Sequence, residues 1–370
     1  MSEVAVICGG PSPEHDISIL TGLQVARLLQ GGPHRVTIIY WTRSGAWQAV
    51  PNNLEGSDFT AGPVRGATVL GFGIPGGFSE VGRFREKSLS LDVALNCCHG
   101  GPGEDGTLGA MLELAGIRVS GPPSEASAWS MDKLATAGMV MLAGLSQFGV
   151  EAIPTIALDP KATAIDLPAP WVVKPRFGGS SLGVAVGVDD FATVLALSKT
   201  GISRSGAVVQ SQLVGWSDLN VALRVFPGEV VSAIERPLTA GRSYGYDEKY
   251  LSGAEGLESA RRELPAKLSS EVRERIVGAT LALGRTVGLT GLPRVDFLYD
   301  GAERLALCEV NAIPGSLGLY LWAASGLGRL EVVLDLIEEA LTGRVGRSHW
   351  AASTDGAALR AAKTVASKLG

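Results

Sequence analysis

The stretch RVDFLYDGAERLALCEVN, residues 294–311, constrains the fold more than any other part of the chain. Polar and apolar residues alternate on both sides of an Asp-Gly pair, which is typical of an antiparallel hairpin with one dry face. A turn centred between residues 302 and 303 places Asp296 opposite Glu309 and Arg294 opposite Asn311. The intervening apolar side chains are predicted to face a core: Val295, Phe297, Cys308 and Val310.

The polar face of this hairpin predicts a metal site. Asp296 and Glu309 supply carboxylates and Asn311 supplies an amide oxygen, a set of hard ligands suited to Mg²⁺ that bridges phosphates. Arg294 on the same face suits a phosphate or a developing oxyanion. The alternative is a solvated face with a surface salt bridge.

A second stretch, WVVKPRFGGSSLGVAVGV, predicts a phosphate-binding loop. Lys174 ends a buried strand, and residues 177–183 form a loop rich in glycine and serine that offers backbone N–H groups and hydroxyls. The chain has no G-x-x-x-x-G-K-[ST] motif, so it is not a P-loop NTPase. A plain hairpin turn is the alternative, although such a turn needs fewer residues.

The order of predicted elements indicates an α/β protein with several domains. Strand, helix and strand patterns recur before residue 123 and predict a small, Rossmann-like parallel sheet, with loops over residues 52–90. Helices are predicted near residues 107–116, 269–287 and 329–342. The predicted units are 1–123, 124–213, 214–344 and a tail or added helix over 345–370.

The sequence GPGEDG at residues 101–106 is a literal G-x-G-x-x-G, and it suggests a dehydrogenase. A pyrophosphate needs bare N–H groups at a helix start, whereas Glu104 and Asp105 would repel it there. A second match at residues 71–76 shows how easily this pattern arises among 49 glycines. We therefore favour a helix start with acidic residues that suit the helix dipole.

Bulk composition limits the remaining classes. The 370 residues carry a net charge of −5 without a dense basic run, which disfavours nucleic-acid binding. The four cysteines form no C-x-x-C pair, as expected in a reducing compartment. Neither a signal-peptide pattern nor an apolar run of about 20 residues is found, so the prediction is a cytoplasmic protein without a membrane span.

Seven motifs occur in this order along the chain: GGPSPEHDIS, HGGPGEDGTLGAMLELAGI, SMDKLATA, VVKPRFGGSSLGV, YGYDEKYL, GLPRVDF and CEVNAIPG. Together they resemble an ATP-grasp enzyme and most closely the D-alanine–D-alanine ligases, over residues 3–342. The resemblance implies an ATP-grasp fold after the Rossmann-like domain. It also implies ATP-dependent formation of a dipeptide through an acyl phosphate, with release of ADP and phosphate, in peptidoglycan and cell-wall synthesis.

The resemblance further implies roles for individual residues. The first amino acid would meet Glu14, His99 and Glu104, while Ser180 and Tyr250 tie the active-site loops to Glu14. ATP would meet Lys133, Lys174, Ser180, Asp218 at the ribose and Lys249 at the γ-phosphate, with residues 240–252 as a lid. The Mg²⁺ ligands would be Asp296, Glu309 and Asn311, and the oxyanion donors Arg294 and the N–H of Gly315. The implied cofactors are ATP and two Mg²⁺ ions, for which Mn²⁺ can substitute; the implied partners are small amino acids and, as a homodimer, a second copy.

Two positions depart from the family pattern. Ser211-Gln212 replaces an acid where the adenine amino group is read, although either residue can accept a hydrogen bond. Tyr320-Leu321 replaces the Ser-Leu pair that holds the carboxylate of the second substrate. A different acceptor, such as D-lactate, D-serine or a biosynthetic amine, is therefore an alternative, and so is a core position for Tyr320. A binding or regulatory module without turnover is the alternative from another class.

Overall fold

The computed structural model describes residues 1–60, 62–82, 86–159, 161–199, 206–238, 261–343 and 356–361. The described part contains an eight-stranded, a five-stranded, a four-stranded and a two-stranded sheet. None of its helices is both long and apolar enough to cross a membrane. The whole predicted lid, with Lys249 and Tyr250, and most of the predicted tail lie outside these residues.

The N-terminal sheet has the strand order β6-β5-β4-β3-β2-β1-β7-β8. Its elements are β1 (Glu3–Gly9), α1 (His15–Leu28), β2 (Arg35–Trp41), β3 (Trp47–Val50), β4 (Thr68–Gly73), β5 (Gly77–Val81), β6 (Glu86–Ser88), β7 (Val93–Asn96), α2 (Gly101–Glu104), α3 (Thr107–Leu114) and β8 (Arg118–Val119). β8, β7, β1 and β2 are parallel, and β3 to β6 extend the sheet antiparallel. The prediction of a parallel sheet thus holds for half the strands.

Residues 52–90 are not only loops, as the sequence suggested, because β4, β5 and β6 lie there. These strands contain several glycines and only short runs of alternating residues, so the period-two signal is weak. The central strand β1 is buried on both faces of the sheet. Val4, Val6 and Cys8 of β1 pack towards α1, while Ala5 and Ile7 pack towards α3.

The middle of the chain contains a four-stranded sheet of order β10-β13-β11-β12. Its elements are α4 (Ser124–Met131), α5 (Lys133–Leu142), β9 (Val150–Ala152), β10 (Thr155–Ala157), β11 (Trp171–Pro175), β12 (Ala185–Val188), α6 (Phe191–Ser198) and β13 (Ala207–Ser211). β11 and β12 pair antiparallel across the glycine-rich loop, as predicted. β9 does not join this sheet but pairs parallel with β19.

The C-terminal part forms the five-stranded sheet β15-β14-β18-β19-β9 and the hairpin β16-β17. Its elements are β14 (Ser217–Arg224), β15 (Val230–Val231), β16 (Arg236–Pro237), β17 (Arg262–Glu263), α7 (Ser270–Val287), β18 (Arg294–Tyr299), β19 (Leu305–Asn311), a 3-10 turn (Gly315–Gly318), α8 (Leu319–Ala324), α9 (Arg329–Thr342) and α10 (Ala357–Ala361). α7 begins where Ser269 caps it and ends at Gly288, whose φ of 76° suits a C-terminal cap.

Packing crosses the predicted boundaries at residues 123 and 213, which stay predictions. Side chains of α4, α5 and β9 share one core with the five-stranded sheet. Side chains of α8 and α9 pack with α1 and the N-terminal sheet. Residues 319–342 therefore pack against the N-terminal part of the chain, which brings the 3-10 turn beside α1.

Candidate active site

The hairpin of β18 and β19 has the predicted register next to the polar face. Arg294 lies opposite Asn311 and Asp296 lies opposite Glu309. The register then shifts, because Phe297 lies opposite Leu307 and Cys308 is the extra residue of a β-bulge. Cys308 belongs to none of the hydrophobic clusters among the described residues, although the sequence predicted that it faces a core. Burial raises the pKa of its thiol, and the charges of Lys174 and Glu309 also act on it.

Arg294 and Asp296 form a two-pronged ion pair. The Nε and Nη2 atoms of Arg294 lie 2.7 Å from the two carboxylate oxygens of Asp296, and Nδ2 of Asn311 donates to the same carboxylate at 3.0 Å. Burial alone would lower the pKa of Arg294, but the Asp296 carboxylate outweighs burial and raises it. The guanidinium thus stays charged in a buried position.

The predicted magnesium ligands are brought together. Asp296, Glu309 and Asn311 offer two carboxylates and an amide on one sheet face, which fits a hard divalent cation. No group of three His, Cys, Asp or Glu side chains within the described residues is placed to hold a metal ion, so this mixed set is the candidate.

Two buried lysines lie next to the hairpin. Lys174 is in β11, and Lys133 is the first residue of α5, whose ammonium donates to the carbonyl of Gly178. Burial lowers the pKa of Lys133 and Lys174 adds to this, while Glu309 and Glu104 oppose it. The lysines and Glu309 therefore share one charged region, as a phosphate and metal site requires.

Asp132 is a structural residue of the site that the sequence did not reveal. Its side chain caps α5 by accepting from the N–H of Leu134 at 2.9 Å, and it forms a two-pronged ion pair with Arg176. Its backbone also forms a bridge with Phe177. Asp132 thus fastens the start of the glycine-rich loop to the helix that carries Lys133. An Asp directly before a helix was the available signal.

Two glycine loops converge on Glu14, which is buried at the start of α1. The Ser180 hydroxyl donates to Oε1 of Glu14. A Cβ on Gly100 would lie 2.3 Å from Oε2 of Glu14, and one on Gly179 would lie 2.7 Å from it. Glycine at both positions therefore lets the two loops lie close to the carboxylate, since an added Cβ would require the Glu14 side chain to shift. Ser180 itself has a φ of 51°, a left-handed conformation that costs energy and often marks a functional site.

His99 is buried and hydrogen-bonded at both ring nitrogens. Nδ1 lies 2.7 Å from the carbonyl oxygen of Ile313, so Nδ1 donates, and Nε2 accepts from the Thr21 hydroxyl at 2.8 Å. Burial lowers the pKa of His99 to about 4, which keeps the ring neutral. The structure thus places His99 as a bridge between α1 and residue 313, whereas the sequence predicted contact with the first substrate.

Glu104 lies in the same network. Its Oε2 accepts from the N–H of Gly100 at 2.9 Å and its Oε1 accepts from the N–H of Ile313 at 3.2 Å. Burial, followed by the nearby charge of Glu14, raises the pKa of Glu104 to about 7. The acids of the GPGEDG loop therefore hold neighbouring backbone, which agrees with the choice against a dinucleotide.

Gly315 opens an unusual turn after β19. Ser316 and Leu317 have φ of 50° and 51°, and Gly318 follows with 61°. The N–H of Leu317 donates to the carbonyl of Pro314 at 2.8 Å. This run of left-handed residues directs the backbone from the β18–β19 hairpin towards α1.

Tyr320 and Leu321 lie in the interior. Leu321 is fully buried in the core beside α9. The Tyr320 hydroxyl donates to the buried carboxylate of Glu235 at 2.7 Å, and Arg262 stacks over the Tyr320 ring and pairs with Glu235. Burial raises the pKa of Tyr320, so the hydroxyl keeps its proton. The prediction that these two side chains bind the second substrate is corrected: the Tyr320 proton is committed to Glu235, and the Leu321 side chain is enclosed.

The predicted nucleotide edge contains Ser211, Gln212 and Asp218. The Ser211 hydroxyl donates to the carbonyl of Pro168 at 3.1 Å. Oε1 of Gln212 is buried and has no hydrogen-bond partner among the described residues. Asp218 lies in β14 opposite Leu298 of the hairpin strand β18. Gln212 is therefore the better acceptor for an added donor group.

Comparisons with known proteins identify the family of the chain. Residues 3–122 match the family described as D-ala D-ala ligase N-terminus, and residues 157–338 match D-ala D-ala ligase C-terminus. The D-alanine--D-alanine ligase of Chlorobaculum tepidum is 30% identical over 370 residues, covering 92% of this chain and 97% of that relative.

Solved structures agree on the fold. The VanG D-Ala:D-Ser ligase from Enterococcus faecalis has a TM-score of 0.74 at 23% identity, over 92% of this chain and 99% of that chain. The D-alanine-D-alanine ligase from Coxiella burnetii has a TM-score of 0.74 at 20% identity, over 98% of each chain. The predicted α/β fold class is confirmed, and the chain belongs to the D-alanine–D-alanine ligase family.

Proposed function

We propose that the protein is an ATP-dependent ligase that joins two D-alanine molecules into a dipeptide and releases ADP and phosphate. One observation carries this proposal: a single loop joins the two halves of the site. The carbonyl of Gly178 accepts from Lys133 at the phosphate end, and two residues later Ser180 donates to Glu14 at the amino-acid end. A bound amino acid and a bound phosphate would therefore be held next to each other.

The first step transfers the γ-phosphoryl group of ATP to the carboxylate of the first D-alanine. Glu14 binds the ammonium of that amino acid, and Lys133 and Lys174 neutralise phosphate charge. This agrees with phosphoryl transfer, which depends on positioning and charge neutralisation more than on covalent chemistry. Mg²⁺, bound by Asp296, Glu309 and Asn311, would supply further neutralisation of the phosphate oxygens.

In the second step the amine of the second D-alanine attacks the acyl carbon, and phosphate leaves. Arg294 and the N–H of Gly315 lie at the end of the metal hairpin and would stabilise the oxyanion that forms. Arg294 keeps its charge when buried, because Asp296 holds its pKa high. Acyl phosphates react with water, so the reaction also needs closure, for which we propose residues 240–252 with Lys249 and Tyr250.

Adenine is the base that the site fits. The buried, unpartnered Oε1 of Gln212 matches the donor amino group of adenine. Gln212 would thus accept the hydrogen bond from adenine for which the family resemblance implies an acid.

A different acceptor is the second candidate function. The Tyr320 hydroxyl is committed to Glu235, so it does not replace a serine as a donor to the acceptor carboxylate. D-lactate, D-serine or a biosynthetic amine therefore remains the alternative to D-alanine at the second position.

We further propose two Mg²⁺ ions per site with Mn²⁺ as a substitute, a homodimer, and a cytoplasmic role in peptidoglycan synthesis without nucleic-acid or membrane partners. We also propose the four units 1–123, 124–213, 214–344 and 345–370. These follow from family membership and composition.

The test is an acceptor screen with purified protein, Mg²⁺, ATP and D-alanine as the first substrate. Products are identified by mass spectrometry and chiral chromatography, and phosphate is measured in parallel. We expect D-alanyl-D-alanine to form in step with phosphate and faster than any other product. A clear preference for D-lactate or D-serine would select the second candidate, and the absence of any dipeptide or depsipeptide would reject both.

A further inference from the structure

Three hydrogen bonds hold residues 313–316 from the N-terminal part of the chain. His99 donates to the carbonyl of Ile313 at 2.7 Å, and Glu104 accepts from its N–H at 3.2 Å. The N–H of Ser316 donates to the Thr21 hydroxyl oxygen at 3.1 Å. The peptide groups on both sides of Ile313 and the peptide group between Gly315 and Ser316 are thus held by hydrogen bonds. The backbone of Gly315, which lies between them, therefore has little room to rotate.

Thr21 connects two of these contacts. Its hydroxyl accepts from Ser316 and donates to Nε2 of His99 at 2.8 Å. A hydroxyl can donate one hydrogen bond while its oxygen accepts another, so Thr21 gives its proton to Nε2 of the neutral His99 ring and its oxygen accepts from the Ser316 N–H. Thr21 is 1% exposed, and water therefore has little access to replace either bond.

The contacts on α1 are spaced along one face of the helix. Glu14, Ser18 and Thr21 lie at positions i, i+4 and i+7, which share a face over two turns. The Ser18 hydroxyl accepts from the N–H of His99 at 2.8 Å. One rigid helix therefore carries the carboxylate for the first amino acid at its start and the anchor of the Gly315 turn two turns later.

The turn needs an anchor because its backbone is strained. Ser316 and Leu317 are left-handed without being glycine, with φ of 50° and 51°. Such residues persist where the surrounding contacts over-determine them, and they cluster at functional sites. The Thr21 bond acts on the first of the two strained residues, directly after Gly315.

We propose that Thr21 is a positioning residue for acyl transfer, which acts through Ser316 and fixes the direction of the Gly315 N–H. This inference rests on the proposed function. In that step the neutral amine forms a bond to the acyl carbon, and the bond from this carbon to the phosphate oxygen breaks. Phosphate leaves with the electron pair and the amine loses a proton to water. The Gly315 N–H donates to the acyl oxygen while its negative charge develops.

The test compares Thr21→Val with Thr21→Ser. Valine keeps the shape but removes the hydroxyl, and serine keeps the hydroxyl. Dipeptide and phosphate are measured together in steady state, along with the KM for ATP and the thermal midpoint. We expect Thr21→Val to lower kcat for dipeptide about tenfold to a hundredfold, as misplacement of a reacting group does. The KM for ATP should stay within about twofold.

The ratio of phosphate to dipeptide separates positioning from a general loss of structure. In Thr21→Val the acyl phosphate still forms but is captured slowly, so water consumes part of it and the ratio rises above one. Thr21→Ser should restore both kcat and a ratio of one. Thr280→Val is the matched control, because it makes the same change at a buried threonine of α7 whose hydroxyl donates to the carbonyl of Ile276 in its own helix, and it should keep the ratio at one.

A wild-type kcat and ratio in Thr21→Val would overturn the inference, as would an equal loss of ATP use and dipeptide with the ratio unchanged. If Thr21→Val does not fold, the same quantities are measured for Thr21→Ala, and a ratio of one there has the same meaning. Failure of the proposed function is distinct, because the wild-type protein would then make no dipeptide.

Discussion

His99 should stay neutral at a pH where an ordinary histidine is protonated. The perturbation is a decrease in pH from neutral to about 4, without any change in sequence. Burial lowers the pKa of His99 from 6.5 to about 4. The hydrogen bonds agree, because Nδ1 already donates to Ile313 and Nε2 accepts from Thr21, so a second ring proton would face the Thr21 hydroxyl proton.

The magnitude follows from the shift of the pKa. A decrease of about 2.5 units at about 1.4 kcal/mol per unit is a cost of about 3 kcal/mol for protonating His99 in the folded state. Near pH 5.5, about 3% of His99 would be protonated, against about 90% for a histidine with a pKa of 6.5. The folded-state pKa is depressed, so this contribution to stability is complete above pH 6.5 and is lost as the pH falls towards 4.

The assay is a proton–carbon NMR titration of the histidine side chains. The chain has only four histidines, so His99→Gln assigns its signal by difference. We expect the His99 signal to move only below about pH 5, and the free energy of unfolding to decrease more steeply below pH 6.5 in the wild type than in His99→Gln. A midpoint near 6.5 for His99, or the same pH dependence of stability in both proteins, would refute the reasoning.

Three further predictions concern the amino acid, the metal and the base. Gly100→Ala should raise the KM for the first amino acid at least about tenfold, because the added Cβ would displace Glu14. The control is Gly116→Ala, since Gly116 also has a positive φ but has no atom within 4 Å of an added Cβ. Equal KM values in the two variants would contradict this prediction. Glu309→Gln should raise the Mg²⁺ concentration that gives the half-maximal rate at least about tenfold, because it removes a proposed carboxylate ligand. Glu303→Gln, at an exposed residue of the same hairpin, should leave that concentration unchanged. If Glu309→Gln also leaves it unchanged, Glu309 is not a ligand. Gln212→Leu should raise the KM for ATP about tenfold and Ser211→Ala should leave it unchanged, since only Gln212 offers an unpartnered buried acceptor; the opposite order would refute the assignment of the base contact.

The β18–β19 hairpin shows what the alternation of polar and apolar residues can predict. The pairs Arg294–Asn311 and Asp296–Glu309 were predicted from period two and a turn, and the register confirms them. The bulge at Cys308 was missed, because an extra residue in one strand leaves the alternation on each side intact. Strands β4 to β6 were missed for a related reason, since glycines interrupt their pattern.

Local sequence by itself determined most of the elements and the polar face of the hairpin. These depend on residues a few positions apart, whose side chains are placed by strand or helix geometry. Only the tertiary structure decided two hydrogen bonds between distant residues. The Tyr320 hydroxyl donates to Glu235, which lies 85 residues away, and the Ser316 N–H donates to Thr21, which lies 295 residues away. Thr21 and Ser316 meet because α8 and α9 pack back onto α1 and the N-terminal sheet, and no periodicity within either segment carries information about that contact.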